Sequence, residues 1–92
     1  MLDKKTYVNG QKIYELENDM LTFYYKNGKL KAQGTYHNQQ LDGKWIFYRE
    51  TGQLWQIGHF KMGKKHGTWT RYNRNDQIEY DESFNEDKKI SK

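Results

Sequence analysis

Residues 43–67 read Gly43-Lys44-Trp45-Ile46-Phe47-Tyr48-Arg49-Glu50-Thr51-Gly52-Gln53-Leu54-Trp55-Gln56-Ile57-Gly58-His59-Phe60-Lys61-Met62-Gly63-Lys64-Lys65-His66-Gly67. The plan returns 24 residues later, from Gly67 to Phe84. The matches stand in columns: Leu21, Trp45 and Trp69; Tyr24, Tyr48 and Tyr72; Leu30, Leu54 and Ile78; Tyr36, Phe60 and Phe84. Glycines share columns too, as Gly28 with Gly52, Gly34 with Gly58, and Gly43 with Gly67. Glycines and aromatics at fixed offsets of one period mark a repeat architecture.

Each unit divides the same way. A stretch carrying the Trp and Tyr columns covers Met20–Tyr25, Lys44–Arg49 and Thr68–Tyr72. A short turn follows at Asn27-Gly28, Thr51-Gly52 and Asn75-Asp76. A second stretch covers Leu30–Tyr36, Leu54–Phe60 and Ile78–Phe84. A longer polar turn closes the unit at His37–Asp42, Lys61–His66 and Asn85–Lys89. Gly, Asn or Asp recurs every few residues, which leaves no room for a ten-residue helix. Runs this short, joined by short loops, predict antiparallel hairpins. The chain has no proline, so every backbone N–H stays available to a ladder. The expected fold is all-β, one single-layer twisted sheet of consecutive hairpins with about seven or eight strands. The expected units are 19–42, 43–66 and 67–90, in one domain spanning 1–92. Residues 1–18 form a degenerate lead-in, with Tyr7-Val8-Asn9-Gly10-Gln11 echoing Tyr25-Lys26-Asn27-Gly28-Lys29. Asn9-Gly10 reads as a type I′ hairpin turn with a strand on either side, the second over about Lys12–Leu16.

Physical roles follow for the structural residues. Gly52 supplies a positive φ at the tight turn, and Asp76 fills that slot in the third unit. Gly58 sits mid-strand, where glycine weakens a sheet unless a ring covers it. A four-residue turn over Glu50–Gln53 sets Trp45 opposite Gly58 and Gly43 opposite Phe60; a three-residue turn shifts that register by one. One face should then carry Trp45, Phe47, Leu54, Phe60, Trp69, Ile78 and Phe84. The other should carry Lys44, Tyr48, Trp55, Ile57 and Tyr72. Gly67 repeats the place of Gly43.

Composition narrows the class. The hydrophobic fraction is 34% and the aromatic fraction 16%. Apolar surface therefore sits in large flat rings, which suit sheets. Disordered chains are aromatic-poor, and this one is not. The absence of cysteine excludes a disulfide scaffold and thiol catalysis. No apolar run reaches membrane-span length and no secretion signal is visible, so a cytoplasmic location is expected. The net charge of +4 is uneven: residues 76–92 hold most of the acidic excess, and the rest of the chain is basic. That asymmetry bears on partners.

Gly43, Trp45, Tyr48, Gly52, Leu54, Gly58, Phe60, Gly63, Lys64 and Gly67 together resemble the MORN-repeat family, in particular its shorter bacterial variant. The first unit matches at Tyr24, Asn27, Gly28, Leu30, Gly34 and Tyr36; the third matches at Gly67, Trp69, Tyr72, Ile78 and Phe84. The third departs at Asp76, Glu82 and Asp87, which suits a polar terminal cap. The resemblance implies an elongated sheet of hairpins that contacts proteins or lipids and has no catalytic residues. Small bacterial members of this kind carry the label of antitoxin in toxin–antitoxin pairs, that is, inhibitors of a partner protein.

No constellation points to chemistry. His37, His59 and His66 show no ligand spacing on one element, so no metal is expected. The carboxylates Asp76, Glu79, Asp81, Glu82, Glu86 and Asp87 read as a solvated end strand, since a flat sheet offers no cleft for an acid/base pair. No nucleotide or nucleophile fingerprint is present, so no cofactor and no enzyme activity are expected. The expected function is non-catalytic binding of a protein partner. Its candidate contact residues are Tyr48, Trp55, Ile57, Tyr72, Arg49, Lys61, Lys64 and Lys65, with Trp55 and Trp69 flanking the Lys61–His66 turn. Arg49, Arg71 and Arg74 lie near Tyr48 and Tyr72, and basic groups interleaved with rings also suit nucleic acid, the second reading. An anionic membrane surface is the third. A thin sheet with aromatics on both faces also suits pairing of two copies.

Overall fold

The computed structural model describes residue 2 and residues 4–90. It is an all-β fold, with no helix among the described residues. Nine strands follow in chain order: β1 (Tyr14–Glu17), β2 (Met20–Tyr24), β3 (Leu30–His37), β4 (Gln40–Tyr48), β5 (Leu54–Lys61), β6 (Lys64–Lys65), β7 (Gly67–Tyr72), β8 (Ile78–Asn85) and β9 (Lys88–Ile90). They form one open antiparallel sheet in the order β1-β2-β3-β4-β5-β7-β8-β9, with β6 also paired to β5. The count is nine because the closing turns predicted as long loops begin new strands at β6 and β9. The strand predicted over Lys12–Leu16 begins only at Tyr14, and the one predicted before Asn9 is absent among the described residues, where a single bridge between Thr6 and Lys12 is all that pairs.

One layer must bury its own core. Leu21, Ala32, Trp45 and Trp69 are the buried apolar residues. Rings lie along the sheet in a continuous ladder. Phe23 meets Trp45 at 6.2 Å, Trp45 meets Phe60 at 6.2 Å, Phe60 meets Trp69 edge-on at 5.1 Å, and Trp69 meets Phe84 at 6.4 Å. Each such pair adds about 0.5–1.5 kcal/mol beyond its buried area. Leu2, which the sequence left unassigned, also packs against this cluster, and the Tyr14 hydroxyl donates to its carbonyl at 2.7 Å. The N–H groups of the two buried indoles are satisfied: Trp45 Nε1 donates to the Thr35 carbonyl and Trp69 Nε1 to the His59 carbonyl, both at 2.9 Å.

The predicted pairing of Trp45 with Gly58 and of Gly43 with Phe60 is present. The ring that covers each glycine is a different one. A Cβ on Gly58 would strike the Trp69 ring, and one on Gly34 would strike the Trp45 ring. Each indole leans back over the preceding hairpin. No ring covers Gly43; it sits at φ 67, where the β3–β4 register jumps.

The turns depart from expectation in an informative way. The Gly52 turn has three loop residues, with Arg49 N–H donating to the Gln53 carbonyl at 2.8 Å and Gly52 at φ 95. That is a type I turn followed by a left-handed residue. The expected register survives because Trp55 is an extra, unpaired residue between Leu54, opposite Tyr48, and Gln56, opposite Phe47. Lys31 and Glu79 are bulged at the same place in their units. The type I′ turns lie at the other end of the sheet. There Asn18-Asp19, Asn38-Gln39, Met62-Gly63 and Glu86-Asp87 all have positive φ at both residues.

Candidate protein-binding face

The bulge changes which side chains share a face. Alternation from Trp45 and Phe47 sends Tyr48 to the opposite side, and Leu54 pairs with Tyr48. Ile78 pairs likewise with Tyr72. Leu54 and Ile78 therefore leave the Trp45 face on which the sequence placed them. Trp55 moves the other way and lines a groove with Trp45, Phe47 and Phe60. A bulge places two successive residues against one partner, which breaks strict alternation.

That groove has a volume of about 260 Å³. Ala32, Trp45 and Phe47 line it together with Phe23, Leu41 and Phe60. Tyr25, Lys31, Tyr48 and Trp55 complete the lining. Ala32 is the smallest residue lining the groove. Ala32 occupies the column that holds Gln56 in the second unit and Tyr80 in the third. Where those longer side chains stand, Arg71 meets them: its guanidinium donates to Gln56 Oε1 at 3.2–3.3 Å and stacks 4.8 Å from the Tyr80 ring. The small Ala32 leaves that volume empty in the first unit.

Trp55 stands between two arginines. The Arg71 guanidinium lies 5.0 Å from its ring centre and that of Arg49 lies 6.0 Å away. Beyond Trp55 a second hollow is lined by Tyr25, Arg49, Glu50, Thr51 and Arg74. Arg49 Nη2 donates to the Tyr72 carbonyl at 3.0 Å, while Arg49 Nε is buried without a hydrogen-bond partner. The Arg49 bond is one of a series: Tyr7 and Tyr25 hydroxyls reach the Tyr24 and Tyr48 carbonyls at 2.8 and 2.6 Å. Burial, helped by the Glu50 carboxylate, pushes the Tyr25 phenol above its ordinary value, so it keeps the proton it donates. In the same column the Asn73 side chain folds onto its own turn and accepts from Asn75 and Gln77 N–H.

The residues predicted to meet a partner divide into three places. Trp55 and Arg49 stand together on the groove face. Ile57 and Tyr72 belong to the opposite face, where Ile57 pairs with Ile46 and both are half-buried; Tyr48 alternates to that side too but, at the end of β4, also borders the groove. Lys61 and Lys64 pair across the Met62-Gly63 turn, at the far end of β5 from Trp55. Trp55 therefore does not flank that turn. Trp69 does meet Lys65, whose ammonium lies 4.7 Å from its ring and 4.9 Å from that of Phe84. Ala32, Lys31 and Tyr25 were not among the candidates. The break at Ala32 in an otherwise bulky column was the signal for them. His37 lies 3.3 Å from Asp19, and no group of three or more metal-ligand side chains occurs among the described residues.

A model of the family described as MORN repeat variant matches residues 21–38, 41–62 and 65–86, more than half of the chain. The chain belongs to the MORN repeat variant family. No curated protein and no solved structure matches it. The matched blocks begin and end close to the type I′ turns, so each MORN block is a hairpin built around one Gly52-type turn.

Proposed function

We propose that this MORN repeat protein is a non-catalytic module that binds another protein, and that its finer role is that of an inhibitor, of the antitoxin kind, which occupies the surface of its target. The observation that carries the reading is the sheet itself. A single layer leaves both faces uncovered, and one of them holds an apolar groove beside a tryptophan set between two arginines. Tryptophan and arginine are the residue types that most often dominate binding energy at protein interfaces. The family resemblance supports the same reading.

The test is capture of partners from the native host with wild-type chain and with Trp55→Ala. The variant should keep its melting temperature within a few degrees and lose most of the captured partner. Equal loss of stability and binding would make Trp55 a core residue and remove the reading. A nucleic-acid partner is the second reading, favoured by the stacked Trp55 and arginines. Phosphate-dominated binding falls steeply with salt, so retention of single-stranded or duplex oligonucleotides at low salt and their release at high salt would support it. The internal hydrogen bonds of Arg49 and Arg71 weigh against it.

A further inference from the structure

We infer that the two hollows on either side of Trp55 receive one extended segment of the partner protein, with a bulky apolar side chain in the Ala32 groove and a carboxylate on an adjoining residue in the Arg49–Arg74 hollow. This deepens the interaction reading above and rests on it.

Size is the first argument. At about 260 Å³ the groove lies below the roughly 300–1,000 Å³ of small-molecule sites. It has room for a large side chain. Chemistry is the second. Of the residues lining the groove only Lys31 is charged, so an apolar group is desolvated there against rings and Ala32. Charge is the third. Arg49 and Arg74 line the adjoining hollow against the single carboxylate of Glu50, and Arg71 stands on the far side of Trp55. The rim therefore complements an acidic segment. The fourth argument is position. Trp55 and Tyr25 line both hollows, so one short segment crossing them fills both.

The pattern also supplies its own blocking variant. Ala32→Gln writes into the first unit the residue that the second unit already carries at Gln56. It fills the groove without deleting a contact. Arg74→Glu reverses one exposed rim charge and touches no core residue. A displayed library of random twelve-residue peptides is panned on the full chain, and the enriched peptides are titrated against wild type, Ala32→Gln and Arg74→Glu by fluorescence anisotropy. The expected result is enrichment of Phe, Tyr, Trp, Leu or Met next to Asp or Glu. Affinity should fall about tenfold or more in Ala32→Gln and severalfold in Arg74→Glu, each variant titrated well below its own melting temperature; Ala32 is buried, so Ala32→Gln should melt lower, whereas the exposed Arg74→Glu should melt with wild type. Enrichment without acidic residues, no enrichment, or unchanged affinity in both variants overturns the inference. Self-association of wild type that Ala32→Gln abolishes would overturn it in favour of a second copy, and oligonucleotide binding lost in the same variant would overturn it in favour of nucleic acid. A host partner that binds both variants as tightly as wild type sinks the groove and leaves the interaction module standing.

Discussion

At the scale of single residues, stability rests on glycine–indole pairs. Gly58 lies under Trp69 and Gly34 under Trp45, so a methyl group at either glycine forces an indole out of a nearly closed site. Gly58→Ala should cost about 1–3 kcal/mol, the range for overpacking. Trp69→Ala should cost about 3–5 kcal/mol. The pair should couple strongly. In a Trp69→Ala background the added methyl no longer meets a ring, so the cost of Gly58→Ala should fall to near zero. Urea melts of the two single variants and the double variant measure this coupling. Additive costs would mean that the glycine is kept for backbone reasons alone. The columns made the importance of both residues legible. They could not say which indole covers which glycine, because Trp45 is the paired neighbour of both Gly34 and Gly58.

At the scale of elements, two turn types alternate and each has its own chemistry. The type I′ turns hold non-glycine residues at positive φ, among them Met62 at φ 51, with an exposed side chain. Asn tolerates this region better than Met, and the equivalent turns begin with Asn18 and Asn38. Met62→Asn should therefore raise stability by about 0.5–1 kcal/mol, read as a higher urea midpoint with an unchanged slope. At the edge of the sheet, the Lys12 ammonium lies 2.9 Å from Glu15 and holds its carboxyl below the ordinary value of 4.5. Its contribution is present in full above that value and is lost as pH falls through the lowered one. Both groups are exposed, so the effect on stability is small and weakens with salt. An NMR titration should find the Glu15 midpoint below 4.5, and Lys12→Gln should return it. The sequence marked the Asn-Gly and closing turns but not Asn18-Asp19, and it read the type I′ geometry into the Asn-Gly turns. Asn-Gly is the commonest I′ signal, yet Asn9-Gly10 and Asn27-Gly28 follow the three-residue geometry, since only the glycine of each has positive φ.

At the scale of the whole molecule, the protein is a slab. Its extents are 45 × 35 × 19 Å and its radius of gyration is 14.1 Å. A compact domain of this length would have a radius near 12 Å. Small-angle scattering from a dilute sample should give a value nearer 14 than 12 Å, with a distance distribution skewed to long vectors. A compact value would mean that the sheet closes on itself in solution. The slab shape also explains how little is fully buried. Rings on one face shield one another, while Tyr48, Leu54, Ile57 and Tyr72 on the other stay half-exposed. An extended surface of this kind is suited to contact with a large partner rather than to enclosing a small substrate.

Sequence alone settled the repeat and the hairpin order, because a side-chain column at a fixed period can be read wherever it recurs; the pairing of Trp45 with Gly58 came out as expected only because the Trp55 bulge offsets a turn one residue shorter than the one it was read from. It also pointed to Trp55 and Arg49. What it could not settle was the face on which they stand. Side-chain direction along a strand depends on counting every residue, and one bulge at Trp55 reverses the count for all that precede it. That bulge places Trp55 between Arg49 and Arg71 and removes Leu54 from the core face. Only the packed sheet brings Ala32 and Trp55, from different hairpins, into one groove, since their nearness comes from strand pairing and leaves no mark in the order of the chain.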